Sequence, residues 1–165
     1  MAVPAVIPIA HEPGYRTDTI GRFAGGQFFA GGTYAYRQGY TYRWGSPEDH
    51  KLLFAVLHTF DDDGHHLDSD IWCAGTWREQ IRLQGSAPGN APVTRMDARL
   101  TQLLDALPER RYTDIAIRPF EVVFDGVLFG LVVEQHDENE TEDDWAELYP
   151  DRLGFHEPWN GSYDT

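Results

Sequence analysis

Histidine, aspartate and cysteine, the residue types that bind metals and carry acid or base chemistry, crowd into one short stretch of the chain. The stretch holds His58, His65, His66, Asp68, Asp70 and Cys73. Transition metals use such imidazole, carboxylate and thiolate ligands, but the ligands must converge on one ion. Whether these side chains meet depends on the element that carries them.

Residues 52–60 and 65–73 have the pattern of two strands on either side of Asp63-Gly64, which predicts a β-hairpin closed by a type I′ turn. Strand alternation then puts one set of cross-strand pairs on a face that we expect to be the buried one. That face pairs Phe60 with Leu67, His58 with Ser69, Val56 with Ile71 and Phe54 with Cys73. The other face pairs Thr59 with Asp68, Leu57 with Asp70 and Ala55 with Trp72. The register disperses the ligand types, so it predicts no metal site and a buried, inert Cys73.

The hairpin tip suggests a second metal hypothesis, because Asp61, Asp62 and Asp63 precede Gly64 and carboxylates suit Ca²⁺. The EF-hand spacing fails. With Gly64 at the sixth loop position, the twelfth position is Asp70 rather than glutamate. Asp-Gly is also the dipeptide that a type I′ turn requires, so a solvated tip is the favoured interpretation.

The remaining elements complete an α+β pattern. A second hairpin is predicted around Asp125-Gly126, with Phe124 facing Val127, Val122 facing Phe129, Phe120 facing Leu131 and Arg118 facing Val133. Residues 27–36 predict a strand pair or a bulged strand, and Ser46-Pro47 predicts one helical turn. Thr94 is predicted to cap a helix that ends before Pro108, with an apolar stripe formed by Met96, Leu100, Leu103, Leu104 and Leu107.

The C-terminal region is predicted to hold a short helix from about 142 to 149, capped by Thr141, and an ordered tail over 150–165. The tail is aromatic, with Phe155, Trp159 and Tyr163 among Gly and Pro. Together these elements predict one α+β domain over 1–165. It is mainly an antiparallel sheet of hairpins with one main α-helix packed on it and an ordered aromatic C-terminal tail.

The charge balance limits the classes of partner. Thirteen basic and 27 acidic side chains give a formal charge of -14, which repels nucleic acids and anionic membranes and attracts a protein with a basic surface. The single Cys73 and an N-terminus without basic residues favour a cytoplasmic protein. No common catalytic or nucleotide-binding motif is present, and no cofactor is predicted.

The segment 134–147 contains eight acidic residues and one tryptophan, so it is either a solvated loop or a surface that binds a basic partner. Aromatic residues of the tail favour the binding interpretation, because Trp and Tyr anchor protein interfaces. The predicted partner-binding residues are Glu138, Glu142, Asp143, Asp144, Trp145, Phe155 and Trp159. The alternative is a small enzyme or a ligand- or carbohydrate-binding domain that uses carboxylates and tryptophans around Asp68–Trp72.

Three stretches of the chain resemble a known family. They are Ile7-Pro8-Ile9-Ala10 with Glu12-Pro13-Gly14-Tyr15, the hairpin end Leu67-Asp68-Ser69-Asp70-Ile71-Trp72, and Trp145-Ala146-Glu147-Leu148-Tyr149-Pro150 with Leu153-Gly154-Phe155. They resemble small bacterial proteins, frequent in actinomycetes, that are labelled formate hydrogenlyase regulatory protein. The resemblance covers nearly the whole chain and implies regulation of a hydrogen-evolving system. The acidic charge favours regulation through protein contact over DNA binding.

Overall fold

The computed structural model describes residues 2–135 and 144–165. The described part of the chain contains many short strands and few helices. The strands are β1 (Ile7–Ile9), β2 (Ile20–Phe23), β3 (Gly26–Ala35), β4 (Leu52–Phe60), β5 (His66–Thr76), β6 (Arg111–Tyr112), β7 (Ile115–Ile117), β8 (Phe120–Phe124), β9 (Val127–Glu134), β10 (Trp145–Tyr149) and β11 (Leu153–Phe155). The α-helices are α1 (Pro47–His50), α2 (Trp77–Leu83) and α3 (Pro92–Asp105), and 3-10 turns lie at Tyr42–Trp44 and Pro88–Asn90. No helix of these described residues is long and apolar enough to cross a membrane.

The strands form antiparallel sheets, so the predicted α+β class is confirmed. A five-stranded sheet has the order β5-β4-β3-β2-β6, a four-stranded sheet has the order β11-β10-β9-β8, and β1 pairs with β7. Helix α3 packs on one face of the five-stranded sheet, where Leu103 and Leu104 contact Phe28 and Leu57. The four-stranded sheet covers the opposite face, and Phe54 meets Phe129 there with ring centroids 5.3 Å apart.

The first hairpin confirms most of the predicted register and corrects its tip. Six of the seven predicted pairs are present, from Phe54 with Cys73 to Thr59 with Asp68, but Phe60 faces His66 rather than Leu67. The type I′ turn was wrong, because such a turn needs positive φ at both central residues and only Gly64 has it (φ +88°). A longer loop closes instead, with the Asp61 N–H donating to the His65 carbonyl at 2.9 Å. The extra residue forms a bulge and shifts the last pair.

Strand β4 is buried on both faces, so the expectation of a single buried face was incomplete. Ala55 and Leu57 lie on the α3 side, and Phe54 and Val56 face the second sheet. Central strands between two layers lose the alternation of apolar and polar residues. The nearly continuous apolar run 52–57 is the sequence pattern that such a position requires.

The second hairpin has the predicted turn. Asp125 and Gly126 have φ values of 51° and 74°, as a type I′ turn requires, and the first three predicted pairs are present. The fourth pair, Arg118 with Val133, was wrong. Strand β8 begins at Phe120, and the Arg118 N–H donates instead to the Gly64 carbonyl at 2.9 Å. Pro119 has no N–H for the ladder, which explains why the strand begins after it.

Helix α3 has the predicted apolar stripe but begins earlier than predicted. Its N-cap is Ala91, and Pro92 occupies the first helical position, where its fixed φ is favourable. The Thr94 hydroxyl donates to the Pro88 carbonyl at 2.8 Å, so the predicted Thr94 cap was wrong. The stripe itself is confirmed: Met96, Leu103 and Leu104 are buried, and Leu100 and Leu107 pack against the core.

Residues Trp145–Tyr149 form strand β10, so the helix predicted from about 142 to 149 was wrong over the described residues 144–149. Its predicted cap Thr141 and first residue Glu142 lie outside the described residues. Ala146 and Leu148 point inward in the alternation of a strand, and β10 pairs with both β9 and β11. The tail adds an antiparallel bridge between Gly154 and Asp164. The predicted ordered tail is therefore held to a sheet as well as packed on the core.

Gly130 allows the close approach of β8 and β9, so its replacement is expected to destabilise the fold. Its φ is +146°, and an added Cβ would lie 2.1 Å from the Phe120 carbonyl oxygen. We expect Gly130→Ala to lower the free energy of unfolding by about 3 kcal/mol, because strain and overpacking combine. Urea unfolding followed by circular dichroism measures this. Gly31→Ala is the matched control, since no atom lies within 4 Å of its added Cβ; equal losses in both variants would contradict the expectation.

Candidate functional site

The predicted acidic binding surface lies only partly within the described residues. Glu138, Glu142 and Asp143 lie outside them. Asp144 immediately precedes β10, and Trp145 is its first residue; both side chains are half-buried. The structure therefore places two of the seven predicted partner-binding residues at the beginning of this strand.

Of the two tail residues of that predicted surface, Phe155 belongs to the core and Trp159 packs against it. Phe155 is 1% exposed and packs in the cluster that contains Ile7 and Leu148, so it is not accessible to a partner, and its assignment as a contact residue is corrected here. Trp159 is half-buried and packs against the same cluster. Its indole Nε1 is buried without a hydrogen-bond partner. Phe155 therefore serves the folding of the chain, and Trp159 is covered in part by the same core.

The first and last carboxylates of the acidic segment 134–147 have partners within the protein. The Tyr149 hydroxyl donates to Glu134 at 2.7 Å, and Arg152 donates to Glu147 at 2.7 Å. Burial and these carboxylates raise the pKa of the Tyr149 hydroxyl above its usual range. The charge of Glu147 is therefore balanced by Arg152, whereas Glu134 has a neutral hydrogen-bond donor in Tyr149.

The histidine stretch forms a hydrogen-bonded core network. His58 is 3% exposed, and its Nδ1 lies 2.6 Å from the Ser69 Oγ, while the His66 Nε2 lies 2.7 Å from the same oxygen. Burial, reinforced by His66, lowers the pKa of His58 to about 3, so this imidazole is neutral near pH 7. Cys73 is half-buried rather than fully buried, and burial raises the pKa of its thiol. A neutral thiol of this kind is a weak nucleophile.

Three ligand-type side chains do meet at the hairpin tip. Asp61, Asp63 and His65 each offer one atom within 4.8 Å of the others, in a largely exposed position. Asp61 already accepts hydrogen bonds from the N–H groups of Asp63 (3.0 Å) and His65 (2.8 Å). These bonds lower the pKa of Asp61, the His65 bond most strongly. The geometry is that of a side chain that stabilises its own turn.

The alternative site around Asp68–Trp72 lacks an available carboxylate pair. Asp70 accepts two hydrogen bonds from the Arg99 guanidinium, both at 3.1 Å, while Asp68 is exposed. Arg95 lies over the Trp72 ring, 5.3 Å from its centroid. The open groove of about 290 Å³ beside them is lined by Trp72, Arg95, Ala98, Arg99 and Gln102. Its lining is cationic and aromatic, which does not fit acid/base catalysis by two carboxylates.

The most prominent exposed aromatic cluster lies elsewhere, on residues 36–50, which we call the aromatic loop. Tyr36 stacks on Tyr40 with centroids 4.9 Å apart, and Tyr40 also contacts Trp44 (6.1 Å) and His50 (5.0 Å). Tyr42 is 77% exposed and Trp44 is 55% exposed. Large aromatic side chains exposed together in this way are typical of binding surfaces.

Hydrogen bonds hold the aromatic loop in shape. The Tyr40 hydroxyl donates to the Gly45 carbonyl at 3.0 Å, and the His50 ring nitrogen lies 3.1 Å from the Trp44 carbonyl oxygen. The 3-10 turn Tyr42–Trp44 has Thr41 as its cap. Helix α1 follows with Pro47 at its first position, as the sequence predicted. The rings are thus presented by an ordered loop.

The aromatic loop is attached to the tip of the second hairpin. Arg37 donates to both carboxylate oxygens of Asp125, at 3.0 and 3.1 Å, and the Gln38 N–H donates to the Gly126 carbonyl at 2.7 Å. Val123 and Phe124, both exposed, precede this tip. Hairpin and loop therefore form one continuous surface.

Sequence reasoning missed this surface although it carries a signal. Tyr40, Tyr42 and Trp44 fall among Gly, Thr and Arg in a segment without the periodicity of a helix or a strand. Aromatic residues in a segment that has no core-facing pattern are candidates for exposure. The predicted acidic surface at 134–147 is a different region of the chain and stays a prediction.

No protein-family model, curated protein or solved structure matches the chain. Function is therefore inferred from the arrangement of its side chains. The resemblance to the formate hydrogenlyase regulatory family stays a prediction.

Proposed function

We propose that the protein is a non-enzymatic regulatory or inhibitory module of the cytoplasm that binds another protein through the aromatic loop. The observation that carries the proposal is a group of rings on an ordered loop: Tyr36, Tyr42 and Trp44 are exposed, and the half-buried Tyr40 contacts Tyr36 and Trp44. Tyr and Trp dominate the binding energy of protein interfaces. Because the loop is already ordered, little conformational entropy is lost on binding.

The charge of the chain favours a partner with a basic surface. A formal charge of -14 attracts such a partner over a long range and speeds the encounter, while short-range affinity comes from the aromatic rings. The same charge disfavours nucleic acid. A regulator that acts by protein contact also agrees with the family that the sequence resembles, and the acidic segment 134–147 would add to the attraction.

Alanine replacement of Tyr42 or Trp44 is expected to weaken binding of the partner protein strongly without unfolding the chain. Truncation of an interface anchor typically costs about 2 kcal/mol or more, which is about a thirtyfold loss of affinity. The test is capture of the tagged protein's partners from its own cell lysate, read by mass spectrometry, followed by affinity measurement with the purified partner. Both side chains are largely exposed, so the unfolding midpoint should not change.

Leu67→Ala is the matched control, because Leu67 is an exposed apolar residue on β5, outside the aromatic loop. It should bind the partner normally. A partner that binds all three variants equally would contradict the aromatic loop as the contact surface. Retention of the partner at about 1 M salt, where the Debye length is near 3 Å, would contradict the electrostatic contribution but not the aromatic one.

A further inference from the structure

A cavity of about 210 Å³ opens beside the middle of β3, away from the aromatic loop. Its lining comprises Tyr15, Arg16, Asp18, Thr19, Phe29, Gly31, Gly32, Leu100 and Asp151. Part of this space exists because Gly31 has no side chain: an added Cβ there would meet no atom within 4 Å. Pockets for drug-sized ligands have volumes of about 300–1,000 Å³, so this smaller cavity suits a smaller molecule.

Asp151 supplies negative charge to the cavity. Its side chain is 18% exposed and accepts a hydrogen bond from the Thr33 hydroxyl, and the Arg16 guanidinium lies 3.6 Å from the same carboxylate oxygen. Burial raises the pKa of Asp151 despite Thr33 and Arg16, so its charged form is incompletely compensated. A ligand that brings positive charge to this carboxylate would stabilise it.

The backbone of Gly32 supplies a donor and an acceptor. The Ala30 N–H donates to the Thr19 carbonyl at 3.0 Å, and the Thr19 hydroxyl donates to the Ala30 carbonyl, so Ala30 directs both groups toward β2. Two residues later, Gly32 directs its N–H and C=O to the same side, because these groups alternate along a strand. The last β2–β3 ladder pair is Ile20 with Phe29, so β2 does not extend far enough to cover Gly32. Gly32 is exposed accordingly.

We propose that this cavity binds a small free amino acid as its zwitterion. Asp151 and the Gly32 carbonyl would accept hydrogen bonds from the ligand's ammonium group, and Arg16 and the Gly32 N–H would donate to its carboxylate. Phe29 and Leu100 provide an apolar wall for a short side chain. This site is independent of the proposed protein contact, since it shares no residue with the aromatic loop.

Zwitterions fit the cavity better than single charges do. A simple anion would meet the carboxylates of Asp151 and Asp18 in a strongly acidic protein. A simple cation would compete with Arg16 for Asp151 and leave the guanidinium without that partner. A zwitterion gives each member of the Arg16–Asp151 pair a new partner of opposite charge.

The test is isothermal titration of the full chain with glycine, L-alanine, L-serine and L-valine, with methylammonium and acetate as half-ligands. We expect at least one amino acid to bind with a Kd of about 1 mM or lower, and each half-ligand to bind at least about tenfold more weakly. Absence of binding by all four amino acids would overturn the proposal. If methylammonium or acetate bound as tightly as the amino acid, the proposal that the ligand binds through both of its charges would be overturned.

Two variants locate the site. Gly31→Val fills the open space with a residue that favours strands, and it should weaken binding at least about tenfold while leaving the fold intact. Asp151→Asn removes the negative charge of the cavity and should weaken binding of the amino acid by a similar factor. Unchanged affinity in folded Gly31→Val would show that any binding occurs elsewhere, and the proposal would fail even if Asp151→Asn did not fold.

Discussion

Replacing Phe155 with alanine is expected to lower the free energy of unfolding by about 3–5 kcal/mol, the range for removal of a buried phenylalanine ring. Phe155 is 1% exposed and pairs with Ala146 across β10 and β11. Its ring contacts Tyr163, with centroids 6.0 Å apart, so the loss should extend to the rest of the tail. Since many domains have only 5–15 kcal/mol of stability, much of the margin would disappear. Urea unfolding followed by tryptophan fluorescence measures the effect.

Tyr42→Ala is the comparison, because it removes an aromatic ring that is 77% exposed. We expect its free energy of unfolding to stay within about 0.5 kcal/mol of the wild type. The two variants therefore separate the two uses of aromatic residues in this chain. Phe155→Ala should have a lower free energy of unfolding, whereas Tyr42→Ala should have a lower affinity for the partner protein. A stable Phe155→Ala protein would mean that the tail does not form part of the core.

Much of the fold could be predicted because its signals are local. Alternating apolar residues on both sides of Asp125-Gly126 determine a turn and three correct pairs. The same dipeptide at Asp63-Gly64 predicted the wrong turn type. The Asp61 carboxylate accepts hydrogen bonds from the N–H groups of Asp63 and His65 and stabilises a longer loop. A dipeptide predicts that the chain turns, but side-chain hydrogen bonds decide how many residues the turn contains.

Strand β10 shows where local signals fail. Acidic residues that follow Thr141 are typical of a helix N-terminus, yet Trp145–Tyr149 pairs with β9 and β11. The pairing partners are fixed by tertiary structure, which outweighs weak local preferences. The pattern Ala146-x-Leu148 is too short to show its strand period without those partners.

The candidate site was difficult to predict for a related reason. Composition shows that the chain is rich in aromatic residues but not which of them are buried. Phe155 and Trp159 lie in a Gly- and Pro-containing tail, as Tyr42 and Trp44 lie in a Gly-containing loop, yet the first pair packs against the core and the second is exposed. Only the three-dimensional structure shows that a cluster of apolar strands lies beneath the tail.

Acid is expected to destabilise the protein strongly between pH 6.5 and about 3 because of His58. The unfolded chain protonates this imidazole near its ordinary pKa of 6.5, whereas burial holds the folded pKa at about 3. Between these values the unfolded state binds more protons, so the free energy of unfolding falls as the pH falls. One such group contributes a slope of up to about 1.4 kcal/mol per pH unit. Urea unfolding at intervals across this range measures the slope.

Variants of two histidines with opposite pKa shifts test the assignment. His58→Gln keeps a polar group that can bond Ser69 but removes the titration, so its profile should be flatter than that of the wild type over pH 3–6.5. The exposed His156 has a raised pKa because it is hydrogen-bonded to Asp164, so its contribution is fully present below pH 6.5 and is lost as the pH rises through its folded pKa. His156→Gln should therefore remove a small stabilisation at acid pH and leave the steep loss in place. A wild-type slope that persists in His58→Gln would assign the acid sensitivity to other groups, with the buried imidazole no longer its cause.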